Sequence, residues 1–237
     1  MQQFEYQPLD WYWFKGNDVK ASILQGVCRF RSYVLYGSGF RKNFGTTGKN
    51  FGDTYYTDFE SYHIVAAINN VIIGTVRITP PNSETVGLSI LGDEKYSAFL
   101  KKIDLSFENI VEINRLMVDD RFRSLKLGQT LMHAAVALTE KIWNLDHIEI
   151  LGTAGNCTKQ VDFFVKHTDY RKIEGLENFI APEFNDEVTL LKYGKRPYNK
   201  GAKQIDEFVQ LFNLNDCRPT LNFKSNYDHS LFNEMTV

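Results

Sequence analysis

Ile110 to Thr130 reads IVEINRLMVDDRFRSLKLGQT, and the way its first half is read decides the fold. Ile110 to Val118 is apolar enough for a buried strand, yet it carries Glu112, Asn114 and Arg115 where Val, Ile or Leu belong. A carboxylate and a guanidinium are costly out of water unless paired or solvated, so a strand that keeps both is expected to border a cleft. A polar turn follows, Asp119 to Lys126, and then an amphipathic run from Leu127 to Leu145 that reads as a helix. Strand, basic turn and helix in that order aim backbone N–H groups, the positive end of a helix dipole and Arg and Lys side chains at one spot. That arrangement suits a phosphate.

Upstream of this stretch, apolar residues recur at Val19, Ile23, Val27, Phe30 and Val34, a helical spacing that Asn17 is placed to cap. Arg31, four residues after Val27, faces inward on that helix and either pairs with a carboxylate or snorkels outward. Gly37 to Asp53 holds five glycines without periodicity and reads as a long loop, matching neither a Walker loop nor a dinucleotide turn. His63 to Asn69 and Val71 to Thr79 form a hairpin turning at Asn69 and Asn70, and Asp93 to Ile103 a short helix. Downstream, strands are expected at His147 to Thr153, Tyr170 to Ile173 and Val188 to Tyr193, with a helix over Cys157 to His167. Met1 to Lys15, with Trp11, Tyr12, Trp13 and Phe14 in a row, reads as a terminus that packs on the body or lines a pocket. Ala202 to Leu214 has an apolar face of Ile205, Phe208, Val209 and Phe212, and Asn215 to Val237 is polar. The fold class is therefore α+β, one domain over residues 1–194 with a C-terminal extension over 195–237.

The totals exclude several classes. The 237 residues are 43% hydrophobic, ample for a core, and a formal net charge of −2 gives nucleic-acid binding little support. No apolar run approaches the roughly 20 residues of a membrane span, and the N-terminus lacks the pattern of a signal peptide. Both observations point to a cytoplasmic protein. Cys28, Cys157 and Cys217 are widely separated and form no Cys-x-x-Cys or Cys/His cluster, so reduced thiols and no metal site are expected.

The segment VDDRFRSLKLGQTLM, in this order of elements, resembles the acyltransferases of the GNAT fold, whose loop has Arg or Gln, two residues, Gly, one residue, then Gly or Ala. Here Arg123 and Gly128 keep the ends and Lys126 replaces the inner Gly. Arg31-Ser-Tyr-Val34, Asp58-Phe-Glu-Ser-Tyr-His63, Gly74-Thr-Val-Arg77 and Glu112-Ile-Asn-Arg115 occur in that order. Together they resemble the acyl-homoserine lactone synthases and the long-chain N-acyl amino acid synthases over about residues 20–195, with Asn114 standing where those families have Ser. The resemblance implies a mixed, mostly antiparallel central sheet flanked by helices.

It also implies a reaction, transfer of an acyl group, in the expected case a long one, from a phosphopantetheine thioester to the amine of an amino acid or similar small metabolite. Position by position, Glu112 and Asp58 become the carboxylates that hold or deprotonate the amine, and Arg31, Arg77 and Arg115 their ionic partners or substrate clamps. A structural ion pair is the competing role for Arg77 and Arg115, and packing is that of His63. Leu116, Met117 and Val118 are expected to meet the carbonyl oxygen and the pantetheine arm, Arg123, Ser124, Lys126, Leu127, Gly128 and Gln129 the phosphate, and Asn156 the arm or only a helix cap. The Tyr that protonates the leaving sulfur in many acetyltransferases of this fold has its matching place at Phe164 here. The donor is an acyl-CoA or an acyl carrier protein thioester, with no tightly bound cofactor, and the cluster Arg121, Arg123 and Lys126 favours the acidic carrier. Two alternatives remain open, a CoA-dependent acetyltransferase of a small amine and a catalytically silent acyl-binding module.

Overall fold

The computed structural model describes residues 9–37, 53–143, 145–156, 159–181 and 186–214. The loop expected from Gly37 to Asp53 lies outside these except at its two ends, as do Cys157, Cys217 and the tail beyond residue 214.

One sheet organises the chain. Its strands are β1 (Asp10–Lys15), β2 (Tyr62–Ile68), β3 (Val71–Thr79), β4 (Ile110–Val118), β5 (Glu149–Gly155), β6 (Tyr170–Lys172), β7 (Phe179–Ala181) and β8 (Asp186–Tyr193). They lie in the order β1-β2-β3-β4-β5-β8-β6, with β7 also on β8, and only β4 and β5 run parallel. The aromatic run expected to dock as a terminus is the edge strand β1. The β2–β3 turn is made by Asn69 and Asn70, both at positive φ, the conformation that a two-residue hairpin turn needs and that Asn tolerates.

Side chains alternate between the two faces of the sheet, so each strand feeds two cores. Ile64, Ala66, Val111, Ile113 and Ile150 pack beneath α4 (Leu127–Ile142) and α6 (Ala202–Leu214). On the other face Val65 and Ile72 meet α1 (Ala21–Gly37) through Ile23, Val27 and Phe30, while Ile110, Leu151 and Leu190 meet α3 (Asp93–Lys102) through Tyr96, Phe99 and Leu100. α2 (Val86–Leu91), capped by the Thr85 hydroxyl, precedes α3, and α5 (Gln160–His167) follows β5. The helix expected from Asn17 begins at Ala21, after a 3-10 turn over Gly16–Asp18.

Helix α4 is buried without a break from Leu131 to Thr139, which an amphipathic surface helix would not be. The reason is α6, which lies on it and adds Ile205, Phe208 and Phe212 to the same core. Trp11 and Trp13 of β1 meet Phe208 and Phe212 edge to face at 5.0 and 6.4 Å, so the two ends of the described chain close on each other. Asp169 Oδ2 accepts the backbone N–H groups of Asn199 and Lys200, tying the approach to α6 onto the domain.

Candidate active site

Between the two cores of the α1 face lies a polar band. Successive strands place His63, Arg77 and Asn114 in one cross-strand row, because β2, β3 and β4 pair with those residues in register. Arg31 enters from α1, fully buried, and its guanidinium donates to both oxygens of Asp58 at 2.9 and 2.7 Å and to the Asp53 carbonyl. Its Nε lies 3.2 Å from Asp53 Oδ2. Arg77 Nη1 donates to Asp58 Oδ1 at 2.9 Å and its Nε to Asn114 Oδ1 at 2.8 Å. Asn114 in turn donates through Nδ2 to Glu112 Oε2 at 3.1 Å and to Thr79 Oγ1 at 3.0 Å.

Glu112 and Asp58 therefore differ, although the sequence offers both as carboxylates of the site. Burial would raise the Asp58 carboxyl, but Arg31 and then Arg77 beside it hold it well below the usual carboxylate range. Glu112, 2% exposed, contacts no cation among the described residues. It accepts instead from the Val86 N–H and the Thr153 hydroxyl, both at 2.6 Å, and from Asn114. His63 is a packing residue, stacked on Phe14 with Nε2 2.9 Å from the Asp58 carbonyl, and burial, reinforced by Arg31, pushes its pKa down to about 4.

The opening beside this band arises from two departures in β4. Strands β4 and β5 pair only over Ile110–Glu112 and Glu149–Leu151, then part. On the other edge one extra residue is inserted between Asn114 and Met117, opposite Thr75–Arg77, and Arg115 in that bulge has φ +52°. The gap is a cavity of about 110 Å³ lined by Asn114, Arg115, Leu116 and Met117 on β4 and by Thr153 and Gly155 on β5. It passes through the sheet, for Leu35 of α1 and Met132 of α4 both line it. Glu112 borders this space through its partners Thr153, Val86 and Asn114, all lining residues.

The donor residues expected from the sequence fall into two groups. Leu116 and Met117 line the cavity, whereas Val118 and Leu127 are core residues. The turn Asp120–Leu125 carries Arg123 and Ser124 and runs into Lys126, which takes the left-handed conformation at φ 57° immediately before α4. A Gly adopts that backbone freely; a Lys does so at a cost of about 1–2 kcal/mol. Arg121 and Arg123 are already paired, with Asp119 and Asp120, while Lys126 pairs with no carboxylate among the described residues. A Cβ added at Gly128 would meet Phe163, Val118 and Leu116 only at ordinary contact distances of 3.4 to 3.9 Å. Gln129 Nε2 donates to the His167 carbonyl, and the Asn156 amide is engaged with Asn178 and Thr189, so both side chains are committed within the protein. Phe164 also lines the cavity.

Sequence reasoning passed over four members of this site. Asp53 closes a stretch without periodicity, Tyr55 and Thr57 lie in the irregular segment after it, and Thr153 is one of several small polar residues at strand ends. Asn114, which joins Arg77 to Glu112, is by contrast marked in the sequence by the motif Glu112-Ile-Asn-Arg115.

A mixed sheet parted between its parallel strands, a bulged central strand and a polar band beside the gap define an acyltransferase of the GNAT fold. Residues 29–151, over half of the chain, match the family model described as N-acyl amino acid synthase FeeM, and the chain belongs to that family. It is an N-acyltransferase that uses an acyl donor. Solved structures show the same fold at low identity. FeeM, an N-acyl amino acid synthase from uncultured soil microbes, is 12% identical with a TM-score of 0.53, covering 89% of this chain and 99% of its own. BjaI, a CoA-dependent acyl-homoserine lactone synthase, is 14% identical with a TM-score of 0.58, covering 91% and 96%. An acyl-CoA N-acyltransferase from Pseudomonas aeruginosa is 14% identical with a TM-score of 0.52, covering 79% and 100%. No curated protein matches the sequence. No helix among the described residues is long and apolar enough to cross a membrane.

Proposed function

We propose that the protein joins a fatty acyl group, delivered on phosphopantetheine, to the amine of an amino acid. The observation that carries this reading is the parted pair β4 and β5, with a carboxylate that has no cation in contact beside the gap. Acyl transfer to an amine needs an unprotonated nitrogen, and Asp58, held by two arginines, is a poor proton acceptor. Glu112 is the remaining carboxylate. The ammonium gives its proton to Thr153 Oγ1 as that hydroxyl passes its own to Glu112 Oε1, 2.6 Å away, and the freed nitrogen attacks the thioester carbonyl. The tetrahedral oxygen is received by backbone N–H groups around the bulge, and as the C–S bond breaks the departing thiolate takes up the nitrogen's second proton, so no acid is required at Phe164.

Met132, Phe164 and Val188 give the cavity an apolar wall suited to an acyl chain. Lys126 at the start of α4 supplies a point charge to a single phosphate, which supports the carrier-bound donor over CoA. In the test, protein is incubated with acyl carrier thioesters and acyl-CoAs of several lengths and a pool of amino acids, and free thiol and N-acyl product are read. Long-chain carrier thioesters are expected to be used best. Glu112→Gln is expected to lower turnover by about 100-fold or more. Thiol release that is unchanged in this variant would remove Glu112 from the chemistry.

A further inference from the structure

Helix α5 walls the cavity, yet burial holds it weakly. Gln160 and Phe164, about one turn apart and so on one face of the helix, line the cavity beside Gly155 of β5. Of the eight residues Gln160–His167 only Val161 is buried, while Phe164 and Val165 meet the core in part. A helix this short is marginal by itself and takes its stability from packing. With one buried side chain, where α5 lies depends on how its ends are held.

Hydrogen bonds hold both ends. At the start, Gln160 Oε1 accepts the Gly155 backbone N–H at 3.2 Å. At the finish, where a helix leaves carbonyl groups over, the Phe164 carbonyl accepts from the N–H and the hydroxyl of Thr168, and the His167 carbonyl from Gln129. Two further contacts come from far along the chain. Lys200 Nζ donates to the Val165 carbonyl at 2.6 Å and to the Thr168 carbonyl at 3.1 Å, which sets an ammonium at the negative end of the helix dipole. The main chain of the same residue is fastened as well, because Asp169 Oδ2 accepts the Asn199 N–H at 2.8 Å and the Lys200 N–H at 3.2 Å. Side chain and backbone of Lys200 thus grip residues 165–169 together. The groups around Glu112, by contrast, come from Val86, Asn114 and Thr153 and take no part in this clasp.

Resting on the reading that the cavity receives the acyl thioester, we infer that Lys200 is a positioning residue for the donor. It ties the last turn of α5 to the C-terminal extension and so keeps Gln160 and Phe164 at the cavity wall. The extension shapes the donor site without touching the donor.

The experiment compares Lys200→Met, which keeps the stem and removes the ammonium, with the wild type, Lys200→Arg and Arg196→Met. Arg196 ties the extension to Glu140 of α4 instead, so its loss reports the cost of loosening the extension alone. Lys200→Met is expected to raise the donor KM by about 10-fold, since a wall displaced by an ångström misplaces the thioester, and to leave the acceptor KM within about twofold. Lys200→Arg is expected to restore most of the donor KM, and Arg196→Met to keep both values. A residue that merely staples the extension would lower the melting temperature and the amount of active enzyme, and leave the donor KM of the folded fraction as it was. On the wild type, which needs no variant to fold, a long-chain acyl-pantetheine thioether is expected to slow deuterium exchange at the Asn199 and Lys200 amides together with α5. Unchanged donor KM in Lys200→Met, or exchange at Asn199 and Lys200 that ignores the thioether, overturns this inference while thiol release leaves the transferase reading intact. Absence of thiol release by the wild type with every donor and amine overturns both.

Discussion

At Asp58 a single carboxylate stands between two guanidiniums, Arg31 and Arg77, all three buried. Removing its charge leaves Arg77 without a carboxylate in contact among the described residues and Arg31 with Asp53 alone, so Asp58→Asn is expected to cost about 3–5 kcal/mol in a urea unfolding curve, more than its loss of one hydrogen-bonding charge would suggest. The pH dependence follows from the same band. His63 titrates at about 4 when folded and near 6.5 when unfolded, so as pH falls between those values the unfolded chain takes up a proton that the folded chain refuses. Unfolding free energy is expected to drop by about 3 kcal/mol between pH 7 and pH 4, and His63→Gln to flatten that slope. Below about pH 4 Asp58 adds to the loss, because the unfolded carboxyl takes up a proton that the folded one, held by Arg31 and Arg77, refuses until the pH reaches its depressed value.

Gly16, between β1 and α1, shows how one element fixes another. A Cβ there would stand 2.0 Å from the Asp58 carbonyl oxygen and 2.9 Å from the Phe59 Cα, backbone that has nowhere to yield. Gly16→Ala is expected to displace Asp58, to lower the melting temperature by several degrees and to lose acyl transfer even where the protein remains folded. The elements themselves were largely legible. Arg31 was placed inward by the spacing of Val27 and Phe30, and the odd polar residues of β4 announced a cleft before any coordinates. Three features had no such signature. α2 is six residues long, less than two turns, too short for a period to declare itself. The bulge at Arg115 places a non-Gly residue at positive φ, which no residue type there foretells. Glu112's partners Val86 and Thr153 come from elements distant in sequence, and only the closed sheet brings them together.

Over the whole molecule, α6 is structural. Phe212 is fully buried against α4 and Trp13, so Phe212→Ala is expected to cost about 3–5 kcal/mol by unfolding, a cost that a peripheral helix would not show. The Lys141 ammonium reaches the Phe212 carbonyl and lies over Trp13, joining helix, helix and edge strand at one corner. Beneath this brace, only three residue pairs connect β4 to β5. The sheet is thus two stiff leaves sharing a short seam. In deuterium exchange, amides along Arg115–Met117 are expected to trade their protons faster than those of β2 and β3, and a bound thioester to slow them, marking where the two leaves are sewn together by substrate rather than by chain.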